Sequence, residues 1–194
     1  MLSDSDKTLR RVLYYFMDTT IEIERDFDLT DTLTEIINGV ETMTPAPSWT
    51  HQIKSKKLYD MINHHIVAKG LGELYYSPLD VIFEDGTNRF QPDLLFIRKE
   101  NMPLVITDCV RIVPDMVCEI VSKGSYERDI EDKKTIYEKY RVPEYWIVIP
   151  ELQTIEILTV EGDKYKLHSI AALNGVVTSK VIEGLTVNVN DIFE

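Results

Sequence analysis

Residues 114–150, PDMVCEIVSKGSYERDIEDKKTIYEKYRVPEYWIVIP, read as strand, turn, helix and strand. The first apolar run closes on one acid, Glu119. A polar turn follows at Ser122–Ser125, and a helix is expected from near Tyr126 to just before Pro143. The apolar run EYWIVIP then begins at once. Positions 126, 130, 133, 137 and 140 step by four, three, four and three, which is one face of a helix. They hold Tyr126, Ile130, Lys133, Tyr137 and Tyr140, so a lysine points where the core belongs. Lys134 falls instead with Glu127, Glu131, Glu138 and Arg141 on a solvated stripe. A buried lysine is costly unless something compensates its charge.

The 194 residues suffice for one domain with a sizeable core, and 44% of them are hydrophobic. Acids outnumber bases 33 to 21, giving a net charge of −12. That balance argues against a broad basic surface for nucleic acid, though not against a local site made positive by a divalent cation. Cys109 and Cys118 lack metal-type spacing, which suits a reducing compartment. The N-terminal MLSDSDKTLRR has no signal-peptide core, and no apolar run reaches the ~20 residues of a membrane span. A soluble cytoplasmic protein is the expectation.

Outward from the central stretch, residues 1–20 carry a helical pattern, within an N-terminal extension to about residue 30. Leu33–Met43 reads as a hairpin about Asn38-Gly39, with Glu35 on its first strand. After Pro45–Ser48, Ser48 caps a helix that runs to Lys69 and stops at Gly70, with Leu58, Met61, Ile62, His65 and Ile66 inward. Leu74–Tyr76 and Leu79–Phe83 are expected strands, separated by Ser77-Pro78. Gln91–Ile97 is expected as one strong strand opened by Pro92-Asp93, and residues 98–112 as an irregular connection. Near the C-terminus, residues 154–160 and 164–169 form a hairpin about Glu161–Asp163, and GLTVNVNDIFE adds a short strand and a final turn. The pattern is an α/β (α+β) domain, a mixed central sheet flanked by helices on both sides.

Two Pro-Asp pairs compete for a site. Asp115 and Glu119 share a strand face but stand ~13 Å apart at the rise of an extended chain, too far for one metal ion. Asp93 opens one strand and Glu119 closes the next. If these strands are antiparallel neighbours, the midpoint of 93 and 119 is residue 106, inside the irregular connection. The two acids then meet at one end of the sheet, and the following helix brings Lys133 across it. Two carboxylates and a lysine suit phosphodiester chemistry: oxygen ligands hold Mg²⁺ or Mn²⁺, and a lysine orients water or neutralises developing charge. His51, in the first turn of its helix, reads as an ordinary helix-start residue, with a base in the site as the competing reading. Tyr137 reads as core, within reach of a site acid. His64 and His65 have no ligand spacing.

The ordered series EIINGVETMTPAPSWTHQ, QPDLLFI, PDMVCEIVS, RDIEDKKTIYEKYRVPEYWIV and GLTVNVNDIF resembles the Uma-type restriction-endonuclease family of the PD-(D/E)XK nuclease superfamily. The resemblance runs from about Leu33 to the C-terminus. It implies a restriction-endonuclease-like core and a metal-dependent site for DNA hydrolysis. Asp93 matches the Pro-Asp acid and Glu119 the second acid. Val121 stands where the lysine two residues later is usual, so that role passes to Lys133. Glu35 matches the acid of the first hairpin, a further metal or water ligand. The backbone carbonyl of Ile120 completes the expected metal set of Asp93, Glu119 and Ile120. A usual Ser-Pro is Ser122-Lys123 here, and a usual aspartate ending the Tyr-Trp strand is Ile149. A homodimer acting on DNA, with no membrane partner, is the implied assembly. Two other functions compete: a silent nuclease-fold interaction module, which the acidic charge favours, and a phosphodiesterase for small nucleotides.

Overall fold

The computed structural model of the chain describes residues 34–43, 46–84, 86–102, 109–122 and 128–194. The expected N-terminal helix lies outside the described residues, as do Pro45, Asp85, residues 123–125 of the polar turn, Tyr126 and much of the irregular connection.

Strands β1 (Thr34–Ile37) and β2 (Val40–Met43) close on Asn38 and Gly39, with φ of 50° and 79°. Two successive positive φ values give the turn whose twist matches a hairpin, which is why Asn-Gly serves here. Helix α1 (Trp49–Lys69) starts where the Ser48 hydroxyl accepts the His51 N–H. It stops at Gly70, left-handed at φ 63°, whose N–H returns to the last turn. Leu58, Ile62 and Ile66 lie four apart along it and are fully buried.

The chain then lays down β3 (Gly72–Tyr76), β4 (Val81–Ile82), β5 (Arg89–Phe90), β6 (Leu94–Arg98) and β7 (Met116–Ile120). Here the structure departs from expectation. Leu79–Phe83 contributes only β4, and the strand expected at Gln91–Ile97 starts at Leu94. Gln91, Pro92 and Asp93 form the passage from β5, in one sheet, to β6, in another. Pro92 has no N–H for a ladder, so a strand break there is natural.

A π-helical turn (Arg128–Asp132) leads into α2 (Lys133–Lys139), then come β8 (Glu144–Ile149) and a 3₁₀ turn (Pro150–Leu152). Strands β9 (Thr154–Glu161) and β10 (Lys164–Ala172) make the expected hairpin, longer than read. Strand β11 (Val176–Thr178), not anticipated, pairs with β12 (Thr186–Asn188), and the last segment is a helix, α3 (Val189–Phe193).

Six strands form the main sheet in the order β10-β9-β8-β7-β6-β3. Its neighbours are antiparallel except β7 and β8. A parallel pair needs a crossover, and the segment carrying α2 supplies it. A smaller sheet, β2-β1-β5-β4, holds the first hairpin. Alternation sorts the main sheet's side chains onto two faces. Leu94, Phe96, Met116, Cys118, Ile120, Trp146 and Val148 pack with α1. Leu95, Val117, Val121, Tyr145 and Ile147 pack with Ile136 and Tyr137 of α2 and with Phe90 of the small sheet. Helices thus flank both faces, as expected. Among the described residues, no helix is long and apolar enough to cross a membrane.

Two buried acids serve this frame. Asp115 accepts the Arg98 N–H at 2.9 Å and the Asn101 amide at 3.0 Å, tying the far ends of β6 and β7. Glu144, fully buried, accepts from Trp146 Nε1, Ser179 Oγ and the N–H groups of Lys180 and Val181, at 2.6–3.1 Å. Four donors make a buried carboxylate tolerable and fasten the C-terminal segment to β8.

Candidate active site

The register places the two acids. Leu94 faces Cys118 and Leu95 faces Val117, so one further step sets Asp93 opposite Glu119. This is the register centred on residue 106. Glu119 lies on the face on which α2 packs, where it meets Lys133 and Tyr137, and Asp93 stands one residue before β6. Asp93 is fixed from two directions: the Ile120 N–H donates to its Oδ2 at 2.7 Å, and His51 Nε2 lies 3.1 Å from the same oxygen.

Lys133 is 3% exposed, as its helical phase required. Its Nζ lies 3.0 Å from Glu119 Oε1 and 2.8 Å from Glu35 Oε1. Tyr137, one turn later, donates its hydroxyl to the same Glu119 oxygen at 2.7 Å. Lys133 and Tyr137 are four apart, so one helical face presents both donors. The π turn just before Lys133 widens the helix at this point, a feature concentrated at functional sites. The Phe90 ring lies 5.7 Å from the ammonium, adding a cation–π contact.

Glu35 arrives from the small sheet. Residue Ile36 of β1 pairs with Arg89 of β5, and the Gln91 N–H donates to Glu35 Oε1 at 3.1 Å. Behind it, Arg89 Nη2 donates to the Thr34 hydroxyl at 2.8 Å, and Gln91 Nε2 to Asp80 at 2.9 Å. The structure therefore brings Asp93, Glu119, Lys133 and Glu35 into one cluster. Asp115 lies at the other end of β7 and takes no part.

Burial and the Glu119 charge hold the Tyr137 hydroxyl well above the ordinary tyrosine range, so it stays a donor. Burial, with Asp93 and Glu119 nearby, also raises the Cys118 thiol well above its usual value.

His51, read as a helix-start residue, and Tyr137, read as core within reach of a site acid, each contact one of the candidate acids. Gln91, Arg89 and Asp80, which support Glu35 and Thr34, carry no motif in the sequence that marks them. Gln91 opens the QPD run and Arg89 stands two residues before it, but Asp80 lies eleven residues before Gln91, and what each one touches depends on which sheet it enters. The β1–β5 pairing is nonlocal, and no short pattern announces it.

The donor set suits a hard divalent cation. Asp93 and Glu119 offer carboxylate oxygens, and Mg²⁺ is commonly held by one or two carboxylates with water and substrate completing its shell. A dedicated protein cage is a different arrangement: among the described residues, no group of three or more His, Cys, Asp or Glu is placed to hold a metal. The Asp93 side chain is 17% exposed, whereas those of Glu35, Glu119 and Lys133 are 1–4% exposed, so the site opens on the Asp93 side.

Comparison with known proteins agrees with this frame. A solved structure titled a putative nuclease belonging to DUF820, from Anabaena variabilis ATCC 29413, superposes with a TM-score of 0.71. It is 18% identical and covers 86% of this chain and 93% of its own, a likeness of fold. A family profile described as "Uma2: Putative restriction endonuclease" matches residues 21–190. The chain belongs to this Uma2 family. No curated protein matches it.

Proposed function

We propose that the chain is a divalent-metal-dependent endonuclease that hydrolyses phosphodiester bonds of DNA. The observation carrying this reading is the pairing of Asp93 with Glu119 across adjacent strands, with Lys133 buried between Glu119 and Glu35. Family membership and the neighbour's fold support it.

Asp93, Glu119 and the Ile120 carbonyl would hold Mg²⁺ or Mn²⁺. The Ile120 N–H points toward β6, where it meets Asp93, and in an extended strand the carbonyl of the same residue points the same way. Continuing the register puts Pro92 opposite Ile120, and a proline has no N–H to give that carbonyl. A bound divalent ion supplies Lewis-acid polarisation of the phosphoryl oxygen. The chain's own residues do the rest. Lys133, held by Glu35 and by a Glu119 that the Tyr137 phenol fixes in turn, presents a fixed positive charge where negative charge develops on the phosphoryl group, and it orients the attacking water. Hydrolysis forms a bond from the water oxygen to phosphorus and breaks the in-line bond to the leaving sugar oxygen. His51 and the Ile120 N–H keep Asp93 from turning away.

The reading includes a homodimer in the cytoplasm, where Cys109 and Cys118 remain thiols. Strand β10 is one edge of the main sheet, with Leu167 and Ile170 about half exposed. Sedimentation at several protein concentrations checks the assembly. Plasmid nicking in Mg²⁺, Mn²⁺ or EDTA checks the activity. Metal-dependent nicking that disappears in Asp93→Asn and Lys133→Ala is expected; equal nicking by either variant sinks the mechanism. The net charge of −12 favours the rival reading, a silent interaction module. Calorimetry showing no Mn²⁺ binding to the folded protein would select that rival. A small phosphodiester cleaved in preference to plasmid would point to a nucleotide phosphodiesterase.

A further inference from the structure

The His51 ring sits at the open side of the candidate site. Its Nε2 lies 3.1 Å from Asp93 Oδ2, and the two side chains keep 13% and 17% exposure, so the pair is open to solvent. Asp93 has a second anchor: the Ile120 N–H donates to the same oxygen at 2.7 Å. The imidazole can therefore leave this contact without releasing the carboxylate. His51 itself stands on a well-held turn. Ser48 caps it, and one turn on Lys54 donates to the Phe193 carbonyl at 2.7 Å, tying the start of α1 to α3. Glu119 meets Lys133 of α2, whereas His51 comes from the helix on the other face of the sheet. Two ligand atoms at right angles on one octahedral ion, each about 2.1 Å from it, stand about 3.0 Å apart. Nε2 and Oδ2 have that spacing. Glu119 gives Oε1 to Lys133 and Tyr137, and among the described residues no group of three His, Cys, Asp or Glu is placed to hold a metal. One imidazole and one carboxylate are thus the pre-set part of an open shell.

We infer that His51 Nε2 is a direct ligand of the divalent ion, beside Asp93, and that the site selects Mn²⁺ over Mg²⁺. The inference rests on the metal-dependent reading above and decides which ion it uses. Charge does not separate the two ions, since both are divalent, but ligand chemistry does. Mg²⁺ keeps to oxygen ligands and gives up its water reluctantly. An imidazole nitrogen is a ligand of first-row transition ions, in an order of affinity that begins with Mn²⁺ and rises along the row. Exchanging one water for His51 therefore gains little with Mg²⁺ and favours Mn²⁺.

The test loads the full chain with Mn²⁺ and records the electron spin echo of the bound ion, whose modulation reports a nitrogen nucleus bonded to the metal. Calorimetry alongside gives the affinities for Mn²⁺ and Mg²⁺. The native protein should show the nitrogen modulation and bind Mn²⁺ more tightly than Mg²⁺. In His51→Ala the modulation should vanish, with Mn²⁺ affinity lower by about tenfold to a hundredfold and Mg²⁺ affinity by less than about threefold. His51→Gln keeps a donor for Asp93 without the imidazole, so it too should lose the modulation and the preference for Mn²⁺. The native spectrum tests the ligand whether or not a variant folds. Bound Mn²⁺ without nitrogen modulation, native Mn²⁺ affinity in His51→Gln, or equal affinity for the two ions would overturn the inference. So would a modulation that persists in His51→Ala, since it would come from His64, His65 or His168. Mn²⁺-dependent cleavage without the modulation overturns the ligand and keeps the nuclease reading. Modulation and a preference for Mn²⁺ without cleavage uphold the ligand and overturn only the nuclease reading.

Discussion

Lys133 Nζ and Glu119 Oε1 lie 3.0 Å apart, with both side chains almost closed to solvent. Burial makes this contact necessary as well as useful. An ammonium removed from water needs compensation, and here two carboxylates and an aromatic ring surround it. The same groups fix the cation beside the pair of acids at the end of β6 and β7.

Lys133→Met is therefore expected to cost stability as well as activity. It strands Glu35 and Glu119 without their cation, a loss of about 3–5 kcal/mol for a broken buried pair. Adding Glu35→Gln should recover part of that loss, because one uncompensated charge disappears. Denaturant unfolding of the single and double variants measures the coupling; strictly additive losses would mean the buried pair is not coupled.

Tyr137→Phe removes one donor from Glu119 while keeping the ring in its aromatic cluster. A loss of about 1–3 kcal/mol follows if the acid is left under-satisfied. The pH dependence has a definite sign. The folded hydroxyl has its pKa raised, so its contribution is complete below the unfolded value near 10. It declines as pH rises above that value, where the unfolded state releases the proton and the folded state keeps it. Unfolding midpoints between about pH 8 and 11 should fall less steeply in Tyr137→Phe than in the native protein.

The two Pro-Asp acids should separate by experiment. Asp115→Ala breaks the tie to Arg98 and Asn101, so it should lower stability by about 1–3 kcal/mol yet preserve metal-dependent nicking at a temperature where the fold survives. Asp93→Asn should do the reverse, abolishing Mn²⁺ binding by calorimetry with a smaller change in midpoint. Loss of nicking in a folded Asp115→Ala protein would contradict the division.

Cys118 offers a probe of the core beneath α1, on the sheet face opposite Lys133. Its thiol is fully buried and its pKa is raised, so a thiol reagent at about pH 8 should leave it unmodified in the native state and modify it on unfolding. Modification at the unfolded rate without denaturant would show that α1 lifts from the sheet.

The sequence by itself determined the local elements and much of the site. Asn38-Gly39 set the first hairpin, Ser48 and Gly70 bounded α1, and a period of 3.6 turned Lys133 inward while leaving Lys134 only partly buried. These features depend on neighbours within a few residues. Even the facing of Asp93 and Glu119 was legible, because an antiparallel register follows from the placement of one connection. Tertiary structure decided the rest. The chain leaves one sheet after β5 and enters another at β6, which splits the QPDLLFI run and delivers Glu35 through β1. His51 reaches Asp93 across 42 residues of chain, and Glu144 holds a segment 35 to 37 residues away. Such contacts are fixed by which surfaces bury each other, a property of the assembled faces and not of any short run of residues.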